Sequence, residues 1–243
     1  MKKIFPLFLL LFVCSVAAMA QKEVLKPSGN IITRDVSIKA FDAIKANGLY
    51  ELILTQGDKE SVKVETDDNF QSLIVVSNDG NTLVIDEPRL RDHSFNFTNG
   101  DGEREKKQHF KVYVTFKHIK NLDLQTIGNT RSEGSLTFDA LEINDQSVGN
   151  IQLTLSAAKL TITNKGVGSI TLNGHADNAV IINSGVGAFK GEDMVVQTMD
   201  IKNSGVGHAS VNVVKDLRVK DSFLGKVNNV GAAKTHKMDG QEI

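Results

Sequence analysis

The chain has 243 residues, 40% of them hydrophobic, 23% charged and 6% aromatic, with 28 basic against 29 acidic side chains. Such a composition excludes a disordered chain and a polyelectrolyte, and it lacks the basic surplus that nucleic-acid binding requires. The only cysteine, Cys14, lies in the first segment of the chain.

That segment, residues 1–20, opens with Lys2 and Lys3, continues as an apolar run from Ile4 to Val13 and ends in Ala18-Met19-Ala20, a small-x-small cleavage pattern. It reads as an export signal. Its apolar run of about ten residues falls short of the ~20 that span a bilayer, and no later stretch approaches that length. The mature chain is therefore expected to be soluble, without a transmembrane segment. A lipoprotein signal needs small residues before its cysteine, whereas Leu11-Phe12-Val13 precede Cys14, so free export to the periplasm or cell surface is expected over lipidation. Removing those 20 residues from 243 leaves 223, with 26 basic and 29 acidic groups and no cysteine. Disulfides, a thiol nucleophile and cysteine-ligated metals are thereby excluded from the mature protein.

Residues 21–119 read as an N-terminal β region. Val36 and Ile38 alternate with polar neighbours, as do Tyr50, Leu52 and Leu54, then Val62 and Val64, then Leu83 and Ile85. A period of two builds half-buried strands. Gln56-Gly57-Asp58 separates two runs, and Asn78-Asp79-Gly80-Asn81 predicts a hairpin, because Asp-Gly tolerates positive φ. Only Asp67 to Ser72 suggests a helical turn. Within this region, residues 89–109 form a 21-residue loop with five basic and four acidic side chains, and Asn99-Gly100-Asp101-Gly102 lies near its middle. Long loops in compact proteins are functional or disordered, and this composition favours disorder.

From residue 120 to 231 the texture changes to a repeat. Gly128, Gly149, Gly168, Gly187, Gly207 and Gly225 recur at intervals of 21, 19, 19, 20 and 18, inside words such as Lys165-Gly166-Val167-Gly168 and Ser184-Gly185-Val186-Gly187. Periods of this size mark stacked units. Six residues before the glycine stand Leu122, Ile143, Ile162, Ile181, Ile201 and Val219; one before it stand Ile127, Val148, Val167, Val186, Val206 and Leu224. Both columns are wholly aliphatic. Four before it the column reads Leu124, Asp145, Asn164, Asn183, Asn203 and Asp221.

These columns predict an all-β fold, a right-handed parallel β-solenoid of about six coils of roughly 19 residues, preceded by the N-terminal strands. Equivalent residues then stack ~4.8 Å apart, the asparagines form an amide ladder, and the glycines supply turns. Both aliphatic columns are expected to fill the interior, so that Val186→Asp would destabilise strongly. The deviating coils, with Lys120 and Thr130 at one end and Asn229 and Gly231 at the other, read as caps, and residues 232–243 as a C-terminal tail. A meander of short antiparallel hairpins remains the structural rival.

The chain resembles a bacterial family known as the head GIN domain of auto-transporter adhesins, common among exported proteins of Bacteroidetes. The residues that carry the resemblance are Phe41-Asp42-Ala43-Ile44, Gly48 through Gly57 (GLYELILTQG), Val62-Lys63-Val64-Glu65, Asp79 through Ile85 (DGNTLVI) and the glycine-punctuated repeats. The resemblance implies a β-solenoid and a role in adhesion, and it brings no catalytic or cofactor-binding residues with it. Only twelve residues follow Gly231, so no translocating barrel is expected.

Parallel solenoids also host glycan-cleaving enzymes, which makes acid pairs worth weighing. Asp177 and Asp216 each follow their glycine by nine residues, two coils apart, which would place them ~9.6 Å apart, nominally compatible with inverting glycoside hydrolysis. Solubilising surface charge is the plainer reading, so no catalytic site is expected. His93, His109, His118, His175, His208 and His236 show no metal-ligand spacing, so no metal or cofactor is expected either. Nucleotide-binding loops and nucleophile elbows are absent as well. The sequence thus predicts a non-enzymatic envelope or surface binding protein, an adhesin, whose partner is an unidentified envelope, glycan or host-surface ligand. The alternatives are a periplasmic structural or regulatory protein and, with least support, a polysaccharide-active enzyme.

Overall fold

The computed structural model describes residues 26–88 and 109–238. The segment with Cys14 that reads as an export signal, and residues 89–108 of the long loop, lie outside the described residues. The first strands are β1 (Ile31–Val36), β2 (Ala43–Leu49), β3 (Glu51–Gln56), β4 (Ser61–Asp67), β5 (Val75–Asp79), β6 (Thr82–Asp86) and β7 (Phe110–Phe116). A 3-10 turn, Asp68–Phe70, falls where the helical turn was expected. The expected hairpin joins β5 to β6, with Gly80 at φ +57°. The repeat region supplies β8 (Asn121–Ile127), β9 (Thr130–Glu133), β10 (Leu136–Asp145), β11 (Ile151–Asn164), β12 (Ile170–Asn183), β13 (Phe189–Asn203), β14 (Ala209–Asp221), β15 (Val227–Asn229) and β16 (Lys234–Lys237).

Pairing between repeats is parallel throughout and nearly in register: Leu160 lies on Ala179, Ile162 on Ile181 and Asn164 on Asn183. This is the expected parallel β-solenoid, and it excludes the antiparallel meander. Each coil has two long sides that meet at an exposed pair such as Asp177-Asn178. A short side, from the residue after the asparagine to the glycine, closes it. The two long sides face each other across one continuous core that runs from Phe41 to Val219.

The stack extends below the repeats. Strand β2 pairs in parallel with β8, and β3 with β9, so the N-terminal strands form a coil beneath Gly128 with Tyr50 in the glycine's place. Strands β6 and β7 lie beneath that coil in turn, paired in parallel with β2 and β3. Antiparallel β5, β4 and β1 close the end. The coil with Lys120 and Thr130, expected as a cap, is therefore an inner one, and Thr130 is 1% exposed beside Leu52 of β3. At the other end β16 pairs in parallel with β14, which carries regular structure past Gly231 into the segment read as a tail.

One expectation is overturned. The column one residue before the glycine does not point inward: Ile127, Val148, Val167, Val186, Val206 and Leu224 are 49–58% exposed. Parity explains it. Residues eight, six, four and two before the glycine alternate inward, so the residue one before it must face out. Consecutive members from Ile127 to Val206 are joined as parallel bridges, forming an aliphatic ladder on the outside of the short side. Val186→Asp is accordingly expected to cost under about 1 kcal/mol in unfolding free energy, as at an exposed strand position. Ile181→Asp, at a site that is 0% exposed, should cost more than about 4 kcal/mol. Urea titration of the two variants distinguishes the faces.

The sixth glycine also departs from the series. Gly128, Gly149, Gly168, Gly187 and Gly207 hold φ between +136° and +149°, whereas Gly225 is not among the positive-φ glycines and packs against Asn203 and Gly205. The last interval is the shortest, 18 residues, and the parallel bridges stop at Val206, although the Gly207 amide still donates to the Leu224 carbonyl at 3.1 Å.

Candidate functional site

Inside the corner where a long side meets the short side, the expected amide ladder is formed. Asn164 Nδ2 donates to Asn183 Oδ1 at 2.6 Å, and Asn183 Nδ2 donates to Asn203 Oδ1 at 2.7 Å. All three are at most 5% exposed. Small residues stand two places on, because a methyl group at Gly185 would lie 2.7 Å from Asn164 Nδ2. Acids flank the ladder. Asp221 accepts from Lys237 Nζ at 2.8 Å, and that bond, with the neighbouring charge of Lys226, holds its carboxyl below the usual range. Among the described residues Asp145 has no cation partner; burial raises its pKa against the hydrogen bonds it accepts from the Ser147 amide and hydroxyl.

A methyl group at Gly166 would lie 2.5 Å from Asp145 Oδ2, so this oxygen takes the place that Nδ2 holds one coil above. Asn supplies the missing donor, and Asp145→Asn should stabilise the protein by ~1–2 kcal/mol at neutral pH. A carboxyl with a raised folded-state pKa binds its proton more tightly folded than unfolded. Wild-type stability therefore falls, relative to the variant, as pH rises from the ordinary Asp value through the raised one, and the penalty is complete above it. Thermal melts of both proteins across that range check the sign.

Outside the same corner, the residues five and three places before the glycine border a polar groove of about 300 Å³. Lys45, Asp123, Gln125, Asn144, Gln146, Thr163 and Lys165 line it, with the edge of Asp145. Register places Lys45 beside Asp123, and Asp123 beside Asn144, whose Nδ2 donates to Asp123 Oδ1 at 3.0 Å and to Glu142 Oε1 at 3.1 Å. Two ammonium groups, a carboxylate, amides and a hydroxyl thus converge on one open surface. This arrangement suits a ligand rich in hydroxyl groups and offers no nucleophile with an activating base. The depression at Gln56, Gly57, Asp58, Lys117, His118 and Ser135 is less available. There the Gln56 amide is engaged by the Lys117 and Thr137 carbonyls and the Thr137 amide.

The weighed acid pair does not form one column. Asn178 lies on Thr198, and Thr198 on Asp216, so Asp216 stacks above Asn178 rather than above Asp177. Register irregularities in β13 between Gly191 and Val195, and between Val196 and Thr198, displace the count from the glycine. Each acid is more than half exposed and faces its own histidine, Asp177 with His175 at 3.2 Å and Asp216 with His236 at 3.6 Å. Of the other histidines, His109 bonds Glu65. Among the described residues no three His, Cys, Asp or Glu side chains gather as a metal site, and no helix is long and apolar enough to cross a membrane.

Residues 40–233, nearly all of the described chain, match the family described as "Putative auto-transporter adhesin, head GIN domain". The chain belongs to this family. A putative adhesin from Bacteroides fragilis NCTC 9343 shares its fold at a TM-score of 0.68 and 24% identity, over 88% of this chain and 100% of the other. A putative lipid binding protein from Parabacteroides distasonis ATCC 8503 does so at 0.54 and 19%, over 89% and 100%. A putative adhesin from Parabacteroides merdae ATCC 43184 follows at 0.51 and 17%, over 89% and 99%. At these identities the likeness shows a common fold. No curated protein matches the sequence significantly. The head GIN fold here thus joins an aliphatic ladder and a polar groove at one corner of the stack. Neither was anticipated from the sequence, although Asp123, Gln125, Asn144, Gln146, Thr163 and Lys165 of the groove occupy odd-numbered columns of the repeat alignment.

Proposed function

We propose that this head GIN protein is an exported, non-enzymatic binding protein of the cell envelope, an adhesin that holds a hydroxyl-rich ligand such as a glycan in the groove bordered by Lys45, Asp123 and Asn144. The observation that carries the reading is the groove itself: donors and acceptors of both charges on a rigid parallel sheet, open to a large ligand. The family description, the adhesins of the same fold and the basic-then-apolar start of the chain support it. The dispersed acids Asp177 and Asp216 support a role in binding rather than glycan cleavage.

A glycan array probed with the purified protein tests the ligand class, with Asp123→Ala and Lys45→Ala as groove variants. Wild-type binding that falls about tenfold in either variant is the expected result, the loss of one charged hydrogen bond. Binding unchanged in both would remove the groove from the account. Protease shaving of intact cells, read against a periplasmic control, tests the location. Protection until the outer membrane is opened would favour a structural role inside the envelope over adhesion.

A further inference from the structure

From the aliphatic ladder we infer that the short side of the solenoid is a self-association face, on which a second copy of this chain docks with its ladder antiparallel. Ile127, Val148, Val167, Val186, Val206 and Leu224 each expose about half of their surface. At ~4.8 Å per coil they form a ridge about 24 Å long. Together they present on the order of 500 Å² of apolar area, at the upper end of what a monomer leaves to water. A standard interface takes ~800 Å² per partner, so the polar columns that flank the ridge enter the contact as well.

The columns beside the ridge are nearly neutral. Lys165 near the middle and Lys226 at one end are their only Lys, Arg, Asp or Glu side chains, so a close partner buries little charge. The ridge is also its own complement. A two-fold axis through its midpoint, between Val167 and Val186, sets Val167 against the partner's Val186 and Ile127 against the partner's Leu224. Each pair occurs twice, as an isologous contact requires. In that pose Lys165 faces Ser184 rather than another lysine.

Charge decides the direction. Residues 26–88 and 109–119, which include β7 at the same end, carry eight basic and eleven acidic side chains, whereas residues 200–238 carry seven basic and three acidic ones. The first group closes one end of the stack and the second forms the other. Parallel docking would place like ends together; antiparallel docking places each acidic end beside the basic end of its partner. Lys45, Asp123 and Asn144 on the long side stay open, whereas Gln125, Gln146 and Lys165 border both the ridge and the groove. Val186 does not line the groove, so a change there separates self-association from ligand binding.

Sedimentation velocity on the purified protein from about 1 to 100 μM tests the assignment. The expected result is a monomer–dimer equilibrium, weakened at least about 100-fold by Val186→Asp, a central contact. The variant should keep a cooperative melt, because the position is exposed. A variant carrying both Val167→Lys and Val186→Asp should dimerise again, because antiparallel ladders set each lysine against the partner's aspartate. A wild-type protein that stays monomeric would overturn the inference. So would a dimer indifferent to Val186→Asp, assembly running past the dimer by end-to-end stacking, or no recovery in the double variant. Glycan binding that persists in monomeric Val186→Asp would leave the ligand reading intact whichever way this result falls.

Discussion

Replacing Gly168 with alanine is expected to lower the unfolding free energy by about 4 kcal/mol, the sum of backbone strain and overpacking. Gly168 has φ +141°, and a Cβ there would lie 1.9 Å from the carbonyl oxygen of Gly149 in the coil beneath. No side-chain rearrangement relieves that overlap, because the obstacle is backbone. Separating the coils would stretch the bonds that hold them, from the Gly149 amide to the Val167 carbonyl and from the Val167 amide to the Ser147 carbonyl, both 2.8 Å. Gly134 isolates the conformational part: its φ is +80°, but a Cβ would meet nothing within 4 Å. Gly134→Ala should cost only about 1 kcal/mol. Urea unfolding of the two variants measures the difference. Equal losses would mean that the glycine recurs in each coil for its φ alone and that the coils can part.

Much of this architecture was legible because the repeat writes each layer of the core several times. The column from Leu122 to Val219 and the column of asparagines required only alignment on the glycine. The direction of the Val186 column was equally written, in its odd spacing from Ile181, but aliphatic character outweighed parity in the reading. A ladder of exposed β-branched residues has the same composition as a core column, and only the inward turn of the small residue before it, Gly185, separates the two. The lowest coils were harder to read for a topological reason. Strands β6 and β7 lie beneath β2 and β3, so chain order and stacking order diverge, and residues 57–120 interrupt the repeat between neighbouring coils. Asp177 and Asp216 failed as a pair because irregularities on the two sides of β13 shift the register between β12 and β14 by a net one residue, which no fixed offset from the glycine records. The groove at Lys45, Asp123 and Asn144 joins a strand outside the repeat to two inside it, so the alignment held only part of it.

Asn183→Leu is the second large effect, expected at ~3–4 kcal/mol, because it deletes two hydrogen bonds and strands a buried group on either side. Asn183 is 2% exposed; the Asn164 Nδ2 below it would lose its acceptor, and the Asn203 Oδ1 above it would lose its donor. Leucine matches the volume but returns neither. The surface amide of Asn129, whose Oδ1 accepts the Asn150 N–H at 2.9 Å, provides the contrast. Water can replace it, and Asn129→Ala should cost under about 1 kcal/mol. Burial, rather than the number of bonds, then sets the size of the effect. Asp145→Asn tests the same logic from the opposite direction, since it adds a donor at the end of the ladder where an oxygen now stands. Combining it with Asn183→Leu should give a sum of the single effects that fails by several tenths of a kcal/mol, because Asn164 lies between the two positions and shares its hydrogen bonds with both. Strict additivity in urea titrations would indicate that the ladder is a set of independent pairs rather than a polarised chain.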